Sequence, residues 1–419
     1  MVWAAIALVL LLTAAVAGQA SIKLQFYYPV QVAGPLAKLM DELVGEFNSL
    51  NKGMVVEPIY AGTYYQTMQK VQTAVMAKNP PDVAVLLVID YLTLRRMNAI
   101  HPLDEYIAKE GGEEFLRDFH PAWLDGAVVG GQVWSLPFQR STPIFYYNVE
   151  HFQRAGLDPR RPPENWNELV DYAKRLTIRD AAGNTLQWGV GMPTESWFLQ
   201  AFTMQNNGIL SSSDGTEVYF NTPPVLEVIQ FWVDLVNNHK VMAQHKGYGD
   251  LSSDFVAGKL SMMYNSSGSL RFVRDFAKFP FQTAFLPGHK RRAIPLGGGN
   301  LYIFRDIPKS RRDAAWEFVK FMTSAETMAK WSYGSGYIAV RESSFQVPLL
   351  RDYLTEFPQA RVAKEQVPLG SAEWAVYNIP QIRAILEPAI AEAISLKLTP
   401  QQAMDKAQRE AMAILAAYK

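Results

Sequence analysis

The sequence predicts an α/β fold of two interleaved lobes. Three observations carry that expectation. Strand and helix patterns alternate from Lys23 onward, the stretch at 82–90 is almost continuously apolar, and no Gly- or Ser-rich linker splits the chain. Alternating strands and helices build a parallel sheet wrapped by helices, since the crossovers must cover its faces.

The elements follow in order. KLQFYYP at 23–29 reads as a strand, and Leu36, Leu39, Met40, Leu43, Val44 and Phe47 then recur at helical spacing along one buried face. MVVEPIYAG at 54–62 is a second strand, and YYQTMQKVQTAVMAK a second helix closed by the turn signal NPP. DVAVLLVID at 82–90 suits a strand covered on both faces. Ligands of such sheets sit beyond the carboxyl ends of the strands. RSTPIFYYN at 140–148 is an apolar strand with an odd start: Ser141 and Thr142 precede a proline that cannot donate to a ladder. Residues of that kind suit the wall of a cleft. Farther along, 165–176 and 223–239 are amphipathic helices, and LSMMYN at 260–265 is a strand feeding SSGS. LRFVRDFAKF is helical, LYIF at 301–304 is a strand, RRDAAWEFVKFM is a helix, and the tail at 380–418 is helical nearly throughout.

Composition narrows the function. A chain of 419 residues holds two or three domains. Lys plus Arg equals Asp plus Glu at 40 each, so no nucleic-acid partner is expected. Cysteine is absent, which excludes disulfides, thiolate metal sites, thiol nucleophiles and a lipid anchor on an N-terminal cysteine. The apolar run at 2–18 ends in small residues that permit cleavage after Ala17 or Ala20, so 1–20 is expected to be an export signal, although no Lys or Arg precedes it. No later segment is long and apolar enough to span a membrane, so a soluble periplasmic protein is expected.

Enzyme signatures are missing. There is no P-loop, dinucleotide Gly pattern, HExxH or GxSxG. His101, His120, His151, His239, His245 and His289 are scattered without metal-ligand spacing and read as surface or capping residues. The pairs Asp104-Glu105 and Glu113-Glu114 lie in polar surroundings and read as solvated. No metal, cofactor or catalysis is expected. Three small-residue stretches stand out. NSSGSL at 265–270 places hydroxyls where a strand turns into a helix, suiting caps or an anion. Gly297, Gly298 and Gly299 precede a strand and let backbone approach a ligand. Pro380 suits a first helical position, which leaves Arg383 in the opening turn, where a cation opposes the dipole unless an anion lies nearby.

YAGTYYQ, PFQRSTPIFYYN followed by AGLDPRRPPENWNEL, YNSSGSL, GGGNLYIF, SGYIAV and NIPQIR occur in that order. With these stretches the chain resembles the extracytoplasmic solute-binding proteins of ABC importers, from about Ser21 to the C-terminus. It is most similar to the glycerol-3-phosphate-binding members of the maltose-binding-protein branch. The resemblance implies a two-lobed type II fold, each lobe a mostly parallel sheet flanked by helices, with several inter-lobe crossings. The expected lobes are 21–140 with 299–339, and 141–298 with 340–419. It also implies a monomer that serves permease subunits and their ATPase, with a glycerophosphate-type ligand. Carried over by motif, Ser141, Ser266, Gly298, Tyr337 and Arg383 would hold the phosphate, and Tyr64 and Trp197 the glycerol. Asp90 is the local candidate for the acid that meets the glycerol hydroxyls. Thr194 falls near the place of a second tryptophan, leaving room for a headgroup, as in glycerophosphocholine. Two rival readings are an oligosaccharide-binding protein and an exported glycerophosphodiester hydrolase, the latter needing metal ligands or a histidine acid.

Overall fold

The computed structural model describes residues 21–50, 53–244 and 247–419. The expected export signal and His245 lie outside the described residues. In the first sheet the order is Gly370–Ala372, Ile294–Ile303, Val83–Leu87, Ile22–Tyr28, Met54–Tyr60, with Leu136–Ser141 also pairing to Ile294–Ile303. Ile22–Tyr28 runs parallel to both Met54–Tyr60 and Val83–Leu87, as the strand–helix alternation predicts. Leu24, Phe26 and Tyr28 alternate inward along their strand, at the period of two that a half-covered strand requires. They meet the apolar face of helix Leu36–Ser49 and helix Lys309–Met322, where Phe318 stands edge-on to both Phe26 and Phe47.

The second sheet runs Phe281–Ala284, Pro143–Asn148, Leu260–Ser266, Thr185–Gly191, Ile178–Arg179. Here the expectation of a mostly parallel sheet fails: three of its four pairings are antiparallel. One of the three joins the neighbouring strands Ile178–Arg179 and Thr185–Gly191 as a hairpin, and the cause of the other two is the crossing. Pro143–Asn148 enters from the first sheet and so starts at the cleft, whereas Leu260–Ser266 ends there, and Ser266 pairs with Pro143. The return crossing, Ile294–Ile303, likewise runs antiparallel to Val83–Leu87. Beyond helix Ala325–Ser335 the chain goes back to the second lobe, where Ile379–Ile394 and Pro400–Leu415 pack against Pro223–Val233.

One histidine departs from its expected surface or capping place. His151 is buried against Ser261 Oγ at 2.9 Å, and burial lowers its pKa to about 4. It is a neutral core residue. No described helix is long and apolar enough to cross a membrane.

Candidate functional site

The cleft between the sheets holds a cavity of about 700 Å³. Tyr64, Asp90, Ser141, Thr194, Trp197, Ser266, Gly298, Tyr337 and Arg383 all line it. Their places follow from where strands end. Val83–Leu87 runs into a short turn, Val88–Asp90, and Asp90 Oδ2 caps it by accepting from Leu87 N at 3.1 Å. Tyr64 opens helix Tyr64–Met76, whose start is fixed by a reciprocal cap between Thr63 and Gln66. Ser266 ends its strand and accepts from Gly268 N at 3.1 Å. Trp197 lies in the first turn of Ser196–Gln205, which Glu195 caps by accepting from Trp197 N and Phe198 N. Of the two hydroxyls at 141–142, Ser141 faces the cavity while Thr142 turns away to donate to Ala363 O at 3.2 Å.

Glycines make the approach close. A Cβ on Gly297 would stand 2.6 Å from Trp197 Nε1, and one on Gly299 would stand 3.0 Å from Tyr64 Cε1. Gly298 has φ +103°, and a Cβ there would meet Gln139 O at 2.1 Å. Gly268 in SSGS admits the Tyr337 ring, since a Cβ would lie 2.8 Å from Cε2. Small residues in these stretches therefore let aromatic walls close over the backbone. The Tyr64 hydroxyl and Trp197 Nε1 are buried with no hydrogen-bond partner among the described residues.

Charge is arranged less simply than the sequence suggests. Arg383 is the only Lys or Arg among the lining residues, set in helix Ile379–Ile394 just past Asn378, whose φ is 54°. The anion beside it comes from the protein itself. Arg383 Nη2 donates to Glu195 Oε2 at 2.9 Å and Nε to Glu387 Oε1 at 3.2 Å, which leaves Nη1 without a protein partner among the described residues. Burial alone would lower the Arg383 pKa, but Glu387, Glu195 and Glu373 outweigh it and hold the guanidinium above its ordinary value. Burial also raises Glu195, against the pull of Arg383. It pushes Asp90 and Glu373 each up to about 7. Beneath the floor, Arg140 is fully enclosed, donating to Asn300 Oδ1 at 3.2 Å and Leu296 O at 3.3 Å.

Glu195, Glu373, Glu387, Tyr248 and the buried Arg140 were not singled out from the sequence. Glu387 was within reach, because it stands four residues after Arg383 on one helical face. Glu195 precedes a helix as a cap residue, and no local pattern marked Glu373. Among the described residues no three His, Asp or Glu side chains gather to hold a metal.

A family model described as bacterial extracellular solute-binding protein matches residues 42–357. The chain is 30% identical to the sn-glycerol-3-phosphate-binding periplasmic protein UgpB of Salmonella typhimurium, over 96% of this chain and 94% of that one. It is 28% identical to the protein of that name from Pectobacterium atrosepticum, over 96% and 93%. UgpB from Mycobacterium tuberculosis in complex with glycerophosphocholine shares the fold at a TM-score of 0.83, with 24% identity, covering 94% of this chain and 98% of that one. The maltodextrin-binding MalE from Bdellovibrio bacteriovorus bound to maltotriose does so at 0.82, with 19% identity, 94% and 100%. These relatives are binding proteins and not enzymes. The chain belongs to the bacterial extracellular solute-binding proteins, as a two-lobed α/β receptor of an ABC importer.

Proposed function

We propose that the protein captures glycerol-3-phosphate or a glycerophosphodiester, such as glycerophosphocholine, between its lobes and hands it to the permease. The observation that carries this reading is the convergence of donors on one cavity. Among the described residues Arg383 Nη1 and the Ser141 hydroxyl are without protein partners there, beside Ser266, Tyr337 and the backbone at Gly298. A guanidinium and neutral donors in a desolvated site hold phosphate oxygens strongly. Tyr64, Asp90 and Trp197 line the rest and suit a glycerol moiety, with Thr194 beside them.

The lobes are taken as 21–140 with 299–339 and 141–298 with 340–419. Tyr64 then belongs to one and Ser266 and Arg383 to the other, so a ligand touching both favours closure by its differential contacts. Calorimetric titration with glycerol-3-phosphate, glycerophosphocholine and maltose tests the reading. Binding of either glycerophosphate without maltose supports it. Maltose binding alone replaces it with an oligosaccharide receptor.

A further inference from the structure

Glu373 is 7% exposed, lines the cavity, and makes no side-chain hydrogen bond or ion pair among the described residues. A buried carboxylate left this way costs free energy unless something else meets it. The charges facing it are Arg383, Glu195, Arg140 and Asp90. Arg383 is committed to Glu195 and Glu387, while Arg140, beneath the floor, donates only to the neutral Asn300 Oδ1 and Leu296 O and offsets Glu373 without a hydrogen bond to it. The cavity wall thus carries Asp90, Glu195, Glu373 and Glu387 against a single guanidinium. Asp90 and Glu373, each pushed up to about 7, are only partly ionised near neutral pH, and a phosphate monoester brings no cationic group that could meet the Glu373 carboxylate. A ligand that carries its own cation would meet it.

The position of Glu373 is built, not incidental. Gln200 clamps the backbone on either side of it, donating to Ala372 O at 3.0 Å and accepting from Trp374 N at 3.1 Å. Gln200 lies three residues after Trp197, on the same face of helix Ser196–Gln205. The pairing of Leu296 with Ala372 also brings Glu373 beside Gly297, the glycine against which the Trp197 indole packs. Two separate contacts therefore fix the backbone that carries Glu373 beside the strand against which the indole packs.

We propose that Glu373 and Trp197 together receive a cationic headgroup, so that the preferred ligand is a zwitterionic glycerophosphodiester bearing a quaternary or primary ammonium. An ammonium over an indole and beside a buried carboxylate is attracted by both, and the phosphate remains with the donors at Ser141, Ser266 and Arg383. This rests on the reading that the cavity takes a glycerophosphate.

The test uses glycerophosphocholine, its uncharged 3,3-dimethylbutyl isostere and glycerol-3-phosphate, titrated into wild type and Glu373→Gln. Wild type is expected to prefer glycerophosphocholine to the isostere by about tenfold or more. In Glu373→Gln that preference should shrink to roughly twofold or threefold, the residue of the indole's own attraction. Glycerol-3-phosphate affinity should hold or rise, because a like charge has been removed. The wild-type comparison needs no variant, so misfolding of Glu373→Gln cannot shield the proposal. Equal affinity of wild type for the charged and uncharged diesters overturns it, as does an equal loss of all three ligands in Glu373→Gln. Binding of glycerol-3-phosphate alone overturns it and leaves the glycerophosphate reading standing. Failure of all three ligands removes both.

Discussion

Arg383 Nη2 lies 2.9 Å from Glu195 Oε2, and the same carboxylate caps the helix that carries Trp197. One ion pair thus ties the cation of the cavity wall to the helix that carries the indole. Glu195 is held from four sides, by Arg383, Tyr248 and two backbone N–H groups. This rigidity fixes where Arg383 Nη1 points.

Arg383→Ala is expected to lower glycerophosphate affinity by about a hundredfold or more, because a charge-assisted partner is lost from an enclosed anion. It should also destabilise the unliganded protein. Glu195 would keep its burial and lose its cation, a loss of roughly 3 kcal/mol for a pair this enclosed. Calorimetry and thermal unfolding read the two effects separately. Affinity equal to wild type places the phosphate elsewhere.

Stability should fall as pH rises from about 6.5 to 8. Burial pushes Asp90 and Glu373 each up to about 7, from ordinary values of 3.8 and 4.5. Their folded pKa values are raised, so the folded state binds more protons. Their contribution is complete below about pH 4 and is lost as pH climbs through 7. His151, lowered to about 4, acts the other way between 4 and 6.5, where its charging disfavours the fold. The window above 6.5 is therefore free of it. Thermal unfolding of the unliganded protein should give a lower Tm at pH 8 than at 6.5, and Glu373→Gln should flatten that slope. A Tm that rises over this range contradicts the assignment.

The first sheet was legible in the sequence because its strands alternate with amphipathic helices and one of them, Val83–Leu87, is an unbroken apolar run. The second was legible only in its elements. Strand direction there depends on where the chain crosses, and RSTPIFYYN shows a crossing without saying which neighbour it will lie against. The small-residue stretches also pointed to real close approaches, since Gly297, Gly298 and Gly268 each admit a group that a Cβ would displace. Charge was harder. Arg383 drew attention as a lone cation in an opening turn, and its partner Glu195 lies 188 residues away. Glu373 sits in no periodic or turn pattern, and only the fold reveals that it is buried with no side-chain partner among the described residues.

Gly297→Ala and Gly298→Ala should separate binding from folding. At Gly297 the obstacle is the Trp197 indole, a side chain that can shift, so the variant should fold with a displaced wall and weakened ligand affinity. At Gly298 the obstacle is the backbone oxygen of Gln139, and φ of +103° is strained for any L side chain. That variant should lose more than about 1 kcal/mol of stability. Thermal unfolding and titration of both variants check the division. A destabilised Gly297→Ala with normal affinity would show that the indole does not shape the ligand space.

The remaining prediction concerns Thr194. It lines the cavity, is 3% exposed, and directly precedes Glu195, so the start of helix Ser196–Gln205 fixes its place relative to Trp197. A larger side chain there is expected to take up cavity space near that indole, where the headgroup of a diester would lie. Thr194→Trp is therefore expected to weaken glycerophosphocholine binding by about tenfold or more through overpacking of the enclosed space. Glycerol-3-phosphate, which has no headgroup, should bind nearly as before. Titration of both ligands into the variant reads the difference, with thermal unfolding to show that the fold is retained. Equal losses for the two ligands would mean that the new indole disturbs the phosphate donors, and unchanged binding of both would mean that Thr194 faces away from the headgroup.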